Sequence, residues 1–595
     1  MTRRAIPMAA FLALLLAGGA ATTTAAAGAP ASRRTRAAAR LPAAARFPAA
    51  ERRFQELARR SIEASWAFSP TWATTLGRHE YDTRLEDYSR ASIDREIARC
   101  RTTLKELQGI PRASLGDTAQ VDYDLFESGV RAHLFDLTEI RRWEHDPGVY
   151  AYGEAIFGIM ARTYAPPEER LRRVIARLGQ VPRQFAAARA NLRHPPAIFT
   201  SLAADECHGA VSFLEHDVPA AFAAVHDSAL WREYRAASGR AVEETRAYER
   251  WLRDTLLPRS DGSYVLGEER YLKKLKYEEM VDLPVDTLLA IGERELHRLE
   301  ARYRDAARRI DPGVPLDSVV AIMRADHPSA DSLLPYVRGL LEDIRSACGS
   351  LHFIEIPSEV RCTVQATPSF AADRSFASLD APGPFETKAS EAFFNVTLPD
   401  PSWPPARVEE HLSGYSRWSV PSVSLHESYP GHYVHFLYGK HAPTFVRRTM
   451  GCGSFAEGWA VYCEEGMLDQ GYRKGDPRFE FGVMRWALIR ACRYQVGLRV
   501  HTRGMTMDQA IQYFVDHAGM ERANAEREAY RAAFDPTYII YELGALQIRK
   551  LRDDLARREG PAFNLARFHA SMLSQGSIPV KLLRRILLHD DGPTL

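Results

Sequence analysis

Cysteine is sparse and scattered in this chain. Seven occur in 595 residues, at positions 100, 207, 348, 362, 452, 463 and 492. An odd count at wide spacing is not a disulfide framework, and the lack of any Cys-x-x-Cys pair argues against a thiolate zinc site. Export would permit one or two bridges, and Cys452 with Cys463 is the one local pair within reach. A surplus of one charge is missing too. Lys and Arg number 78 against 76 Asp and Glu, a net charge of +2. That balance gives no footprint for nucleic acid, and the Arg-rich helix faces read as solvated surface. Long apolar runs and internal repeats are also absent, so neither a bundle of membrane spans nor a solenoid is expected.

The only targeting signal is at the start. Arg3-Arg4 is followed by the mainly apolar run Met8–Leu16 and then by small residues, with Ala27-Gly28-Ala29 as a cleavage site. This reads as a secretory signal peptide over residues 1–29, too short to be a good membrane span. No Cys stands near the cleavage region to carry a lipid, and Arg3-Arg4 is a weak hint of twin-arginine export. Residues 30–46, rich in Ala, Arg and Thr, read as a disordered leader. Residues 47–595 are long enough to bury a large core as one helical domain, with lobes divided near residue 270.

Helical periodicity dominates Phe54–Leu340. Phe54, Leu57, Ala58, Ser61 and Ile62 make one face, with Glu56, Arg59 and Glu63 opposite. Similar patterns cover Ile93–Leu107, Val121–Arg141, Pro167–Asn191, Val211–His226, Trp231–Leu257 and Leu283–Ile310. Breaks fall at Asp146-Pro147-Gly148, His194-Pro195-Pro196 and Asp311-Pro312-Gly313. The character changes at Phe353. Ile354–Pro357, Val360–Gln365 and Ala392–Leu398 read as extended, which predicts a small sheet just ahead of the most informative stretch.

That stretch is Leu425-His426-Glu427-Ser428-Tyr429-Pro430-Gly431-His432, followed by Phe455-Ala456-Glu457-Gly458-Trp459-Ala460-Val461-Tyr462-Cys463-Glu464-Glu465. Two histidines and a carboxylate are a zinc hydrolase's ligand kit. They leave a fourth position for water, and Glu427 stands beside the first histidine to take a proton from it. The two histidines are six residues apart. On a regular helix that separates them by about 120°, too far round to share one ion. Pro430-Gly431 offers the remedy, because a widened or broken turn there could bring His432 back beside His426. Glu457 and Glu464 lie on one face of a second helix, so one can bind the metal while the other orients a ligand histidine.

The two motifs also resemble the bacterial domain of unknown function 885 family. The resemblance runs from about Phe54 to the C-terminus and includes Tyr264-Val265-Leu266-Gly267 and Phe393–Pro399. That family is in turn similar to helical zinc peptidases such as thimet oligopeptidase and angiotensin-converting enzyme. The resemblance implies a mainly α, two-lobed zinc-peptidase-like body with a small β-sheet near the active site. It implies His426, His432 and Glu457 as Zn²⁺ ligands and Glu427 as base, which leaves Glu464, on the same helix face as Glu457, as the acceptor for a ligand histidine's ring N–H. In those peptidases an exposed strand pairs with the substrate backbone, and a Tyr or His holds the developing oxyanion. Tyr538, Tyr541 and His501 are the candidates for that second role.

The expected protein is therefore an exported, periplasmic or extracellular, zinc-dependent peptidase acting on short peptides. The rival expectations are a metal-dependent hydrolase of another amide or ester, and an exported protein that binds peptides without cutting them.

Overall fold

A computed structural model describes residues 49–367 and 376–595 of the chain. The leader and cleavage site read from the sequence lie outside the described residues.

The fold is mainly helical. The first helices are α1 (Ala49–Phe68), α2 (Arg90–Gln108) and α3 (Asp117–Phe135), followed by α4 (Pro167–Leu178), α5 (Val181–Asn191), α6 (Ala197–Ser212) and α7 (Ser228–Trp251). The Pro167–Asn191 pattern is two helices, broken at Gly179-Gln180, where Pro182 opens the second. Long α8 (Val285–Ile310) and α9 (Ala330–Ser350) come next. Local chemistry starts several of these helices. The Ser89 side chain accepts from the Ser92 N–H ahead of α2, and Asp227 accepts from Ala229 and Leu230 ahead of α7.

The predicted sheet exists, with three strands: β1 (Cys362–Ala366), β2 (Ala377–Asp380) and β3 (Ala392–Val396). Their order is β1-β3-β2. β1 runs parallel to β3, with Cys362 opposite Ala392. β2 runs antiparallel to β3, with Leu379 opposite Phe394. Ile354–Pro357 forms no strand, and β2 is an edge that the sequence did not announce.

Six more helices complete the site's frame: α10 (Val420–Glu427), α11 (His432–Gly439), α12 (Gly453–Asp469), α13 (Pro477–Thr502), α14 (Arg522–Phe534) and α15 (Ile540–Glu559). In α12 every residue from Ser454 to Met467 is buried, so the helix is apolar or paired all round rather than amphipathic. Two large cores form. One is built from residues between Leu85 and Leu256. The other joins Phe54, Leu57, Phe126 and Val130 to the C-terminal helices. Helices α1–α3 thus supply the second core, and the packing divides the chain differently from a cut at residue 270.

All seven cysteines are buried and free. The local bridge between Cys452 and Cys463 does not form. Cys452 precedes α12 and Cys463 lies along it. Eleven residues of helix separate their Cα atoms by roughly 16 Å, far beyond a disulfide's reach.

Helices α12 and α15 touch backbone to backbone. A Cβ on Gly544 would lie 1.6 Å from the Ser454 carbonyl oxygen, and one on Gly458 would lie 2.4 Å from the Gly544 Cα. Gly544→Ala is therefore expected to lower stability by at least about 1–3 kcal/mol through overpacking. Gly239→Ala, on an exposed stretch of α7 with nothing within 4 Å, should instead raise it by about 0.5–1 kcal/mol. Thermal melting of the two variants checks the contrast.

Candidate metal centre

The six-residue spacing is resolved by a break, not by a widened turn. α10 stops at Glu427, and Ser428 leaves the helix with φ −113° and ψ −94°. Tyr429-Pro430 is cis, and α11 starts afresh at His432. Gly431 makes the junction possible. Its N–H donates to the Leu425 carbonyl at 3.0 Å, and a Cβ there would lie 1.9 Å from the His426 carbonyl oxygen. The junction is anchored from two sides. Trp459 Nε1 on α12 donates to the Pro430 carbonyl at 3.0 Å, and the Tyr429 hydroxyl accepts the Cys362 N–H of β1 at 3.0 Å.

This break turns the two imidazoles toward one point, with ring centroids 4.9 Å apart. Glu457 Oε2 lies 3.4 Å from His426 Nε2 and 3.6 Å from His432 Nε2. Two ligand atoms about 2.0–2.1 Å from one tetrahedral zinc stand roughly 3.3 Å apart, so the set fits. The three residues are only 6 %, 5 % and 4 % exposed. Glu457 Oε2 is buried yet accepts no hydrogen bond. A buried carboxylate oxygen aimed at two imidazole nitrogens without a donor is the signature of a cation site.

The charges agree. Burial works to raise the Glu457 carboxyl, but the two imidazoles facing it, His426 and His432, outweigh it and hold the group well below the ordinary range. Burial works to lower His426, but Glu457 and Glu464 outweigh it and bring the imidazole up to about 9.

Around the donors, Glu464 Oε1 stands 2.9 Å from His426 Nδ1. Its carboxylate is gripped by Arg490, with Nη2 to Oε1 at 2.8 Å and Nη1 to Oε2 at 3.1 Å, and by the Ser422 hydroxyl. This fixes His426 with Nδ1–H toward Glu464 and Nε2 toward the donors. Glu427 is not among the donors. It is half-buried, and its Oε2 accepts the Leu379 N–H of β2 at 3.1 Å. His435 stays apart, with Nε2 2.9 Å from the Ser577 hydroxyl.

The three oxyanion candidates separate clearly. His501 is fully buried, with Nε2 2.8 Å from the Ala532 carbonyl and Nδ1 facing the Leu266 N–H at 3.4 Å. Tyr538 donates its hydroxyl to Glu528. Tyr541 accepts from Arg531 Nη2 at 2.8 Å. Burial, and next the charge of Glu457, push its phenol up to about 12. Of the three, Tyr541 is the one whose phenol feels the charge of Glu457.

Two other carboxylate groupings already contain their cations. Arg549 reaches Glu295, Glu465 and Glu542 at 2.7, 3.0 and 3.0 Å. Arg99 takes both oxygens of Glu96 beside Cys100 and His133. A cavity of about 720 Å³ lined by Tyr88, Trp143, Arg183 and Asn191 contains none of the site residues.

A family described as bacterial protein of unknown function (DUF885) matches residues 70–587. The chain belongs to the DUF885 family. Two solved structures share its fold. One, described as a putative lipoprotein of unknown function from Shewanella oneidensis, is 27 % identical over 90 % of this chain and 99 % of its own, with TM-score 0.76. The other, described as a putative lipoprotein from Colwellia psychrerythraea, is 17 % identical over 91 % and 99 %, also with TM-score 0.76. No curated protein matches the chain. In this DUF885 chain the motif histidines, Glu457 and Glu464 were readable in the sequence. Arg490 and Ser422 were not; the one available signal was an arginine inside the apolar run Ala487–Cys492.

Proposed function

We propose that this chain is an exported, zinc-dependent peptidase acting on short peptides. The observation that carries the reading is the orphaned Glu457 Oε2 facing His426 Nε2 and His432 Nε2, with Glu427 one residue from the first ligand. His426, His432 and Glu457 would hold the ion, which when bound supplies Lewis acidity and an acidified water. Glu427 accepts the proton at its carboxylate and returns it to the leaving amine. Tyr541 offers its hydroxyl proton to the developing oxyanion, while the Arg531 N–H occupies a lone pair of the same oxygen. Among the described residues β2 pairs with β3 alone, so its other edge suits an extended backbone, which favours a peptide over other amides. Export is supported by the two lipoprotein descriptions and by the leader pattern.

The test is digestion of a peptide library by metal-free and zinc-loaded protein. Cleavage should appear with zinc and vanish with a chelator. Zinc binding without peptide cleavage would redirect the search to other amides and esters. Failure to bind zinc at all would leave a peptide-binding protein.

A further inference from the structure

A histidine sits at the seam between the two large cores. Leu76 belongs to one core and Leu85 to the other, and His79 lies in the turn that joins them. Its ring is half-buried and stacks on Tyr164, with centroids 3.5 Å apart and planes 4° from parallel. Both ring nitrogens face carboxylates. Nδ1 is 3.1 Å from Asp82 Oδ2, and Nε2 is 2.6 Å from Glu386 Oε2.

Both carboxylates are buried, but they are unequally provided for. Asp82 also accepts from the Thr74 hydroxyl at 2.8 Å, from Arg173 Nη1 at 2.8 Å and from the Tyr164 hydroxyl. Arg173 belongs to α4, so Asp82 is fixed to the core of residues 85–256. Glu386 belongs to the connection between β2 and β3. Its Oε1 accepts the N–H groups of Lys388 and Ala389 at 2.7 and 3.2 Å. Among the described residues, His79 is the only donor to its Oε2. The connection presses on the same turn. The Phe385 N–H donates to the Leu76 carbonyl at 2.9 Å, and a Cβ on Gly77 would lie 2.4 Å from the Glu386 nitrogen.

We propose that His79 is a pH-operated staple: protonated, it clamps the β2–β3 connection to the neighbouring core, and on losing its proton it lets the connection go. Only the imidazolium donates at both nitrogens. Either neutral tautomer sets a nitrogen lone pair against a buried carboxylate. Asp82 keeps its three other donors, so the loss falls on Glu386 Oε2, which must then find water. Further charges surround the pair. Glu80, on the same turn, is taken up by Arg78, with Nε to Oε1 at 2.8 Å. Arg173 and Arg177 offset Asp82, and Arg162 and Lys440 act on Glu386. Burial works to lower the His79 imidazole, but Asp82 and Glu386 outweigh it and hold it above its ordinary value. A raised imidazole lends stability that is complete below about pH 6.5 and is lost as pH climbs through the raised value. The connection follows Asp380 directly, so the staple also steadies the strand whose Leu379 N–H holds Glu427. It acts in this way whatever the substrate.

The experiment is hydrogen exchange of the full chain, read by mass spectrometry between about pH 6 and pH 9 and corrected for the intrinsic effect of pH. The readout is the peptide carrying the Phe385, Lys388 and Ala389 amides. Its protection should fall about 10-fold across this range, while the amides of α15 keep theirs. His79→Gln should show weak protection throughout, without the pH step. Glu386→Gln offers an amide that pairs with either state of the ring, so it should keep the connection docked and also abolish the step. This second variant decides the matter if His79→Gln folds poorly. Flat protection in the wild type overturns the staple, as does a step that survives either substitution.

Discussion

Glu427→Gln is expected to bind zinc like the wild type and to turn over substrate at least about 10²-fold more slowly. The expectation comes from two separate placements. Glu427 lies outside the set formed by His426, His432 and Glu457, so its charge is not needed to hold the ion. It is nevertheless one residue from His426 and half-buried, with its carboxylate fixed by the Leu379 N–H at 3.1 Å. Glutamine keeps the size and can still accept that N–H through its amide oxygen, but it cannot take a proton from water. Elemental analysis reads the first half of the expectation, and peptide hydrolysis under saturating zinc reads the second. Hydrolysis near the wild-type rate would remove Glu427 from the mechanism. Loss of zinc would make it a ligand instead.

Glu457→Ala should lose its metal on dialysis, whereas Glu464→Ala should bind it about 10–100-fold more weakly and refill when zinc is in excess. The two glutamates lie seven residues apart on one face of α12, and their surroundings differ in kind. Glu457 presents an oxygen with no hydrogen-bond donor to both imidazoles. Glu464 has every role filled by protein: His426 Nδ1, two nitrogens of Arg490 and the Ser422 hydroxyl. Removing the first deletes a ligand. Removing the second leaves the ligands in place but frees the His426 ring to rotate and leaves Arg490 buried without its carboxylate. Zinc titration against a chromogenic chelator separates the two outcomes. A refillable Glu457→Ala beside a metal-free Glu464→Ala would exchange the roles.

The centre was legible in the sequence because its chemistry is local. His426, Glu427 and His432 fall within seven consecutive residues, and Pro430-Gly431 marked the place where a regular helix had to fail. The manner of failure was not legible. A widened turn and a complete break satisfy the same spacing, and the choice depends on Trp459 and on Cys362 of β1, both distant in sequence. The long helices were read from periodicity, with edges off by a few residues. Edge strand β2 went unseen, because Ala377-Ser378-Leu379-Asp380 carries no strand pattern of its own and pairs only because β3 offers it a neighbour. Of Tyr538, Tyr541 and His501, no sequence property could say which hydroxyl or imidazole was already spoken for.

Seven buried, unbridged thiols make the protein its own unfolding reporter. A thiol reacts as its thiolate, and burial pushes Cys100 and Cys348 up to about 12. Alkylating reagents therefore find almost nothing to attack in the closed molecule and label a cysteine only while its segment is open. The positions are well spread: Cys100 on α2, Cys207 in the core of residues 85–256, Cys348 on α9, Cys362 on β1, Cys452 at the start of α12, Cys463 within α12, and Cys492 on α13. Mass spectrometry of alkylation rates would thus follow separate regions of the unmodified chain at once, with and without metal. The same arrangement makes assembly independent of any oxidant, so the chain can mature equally in a reducing or an oxidising compartment.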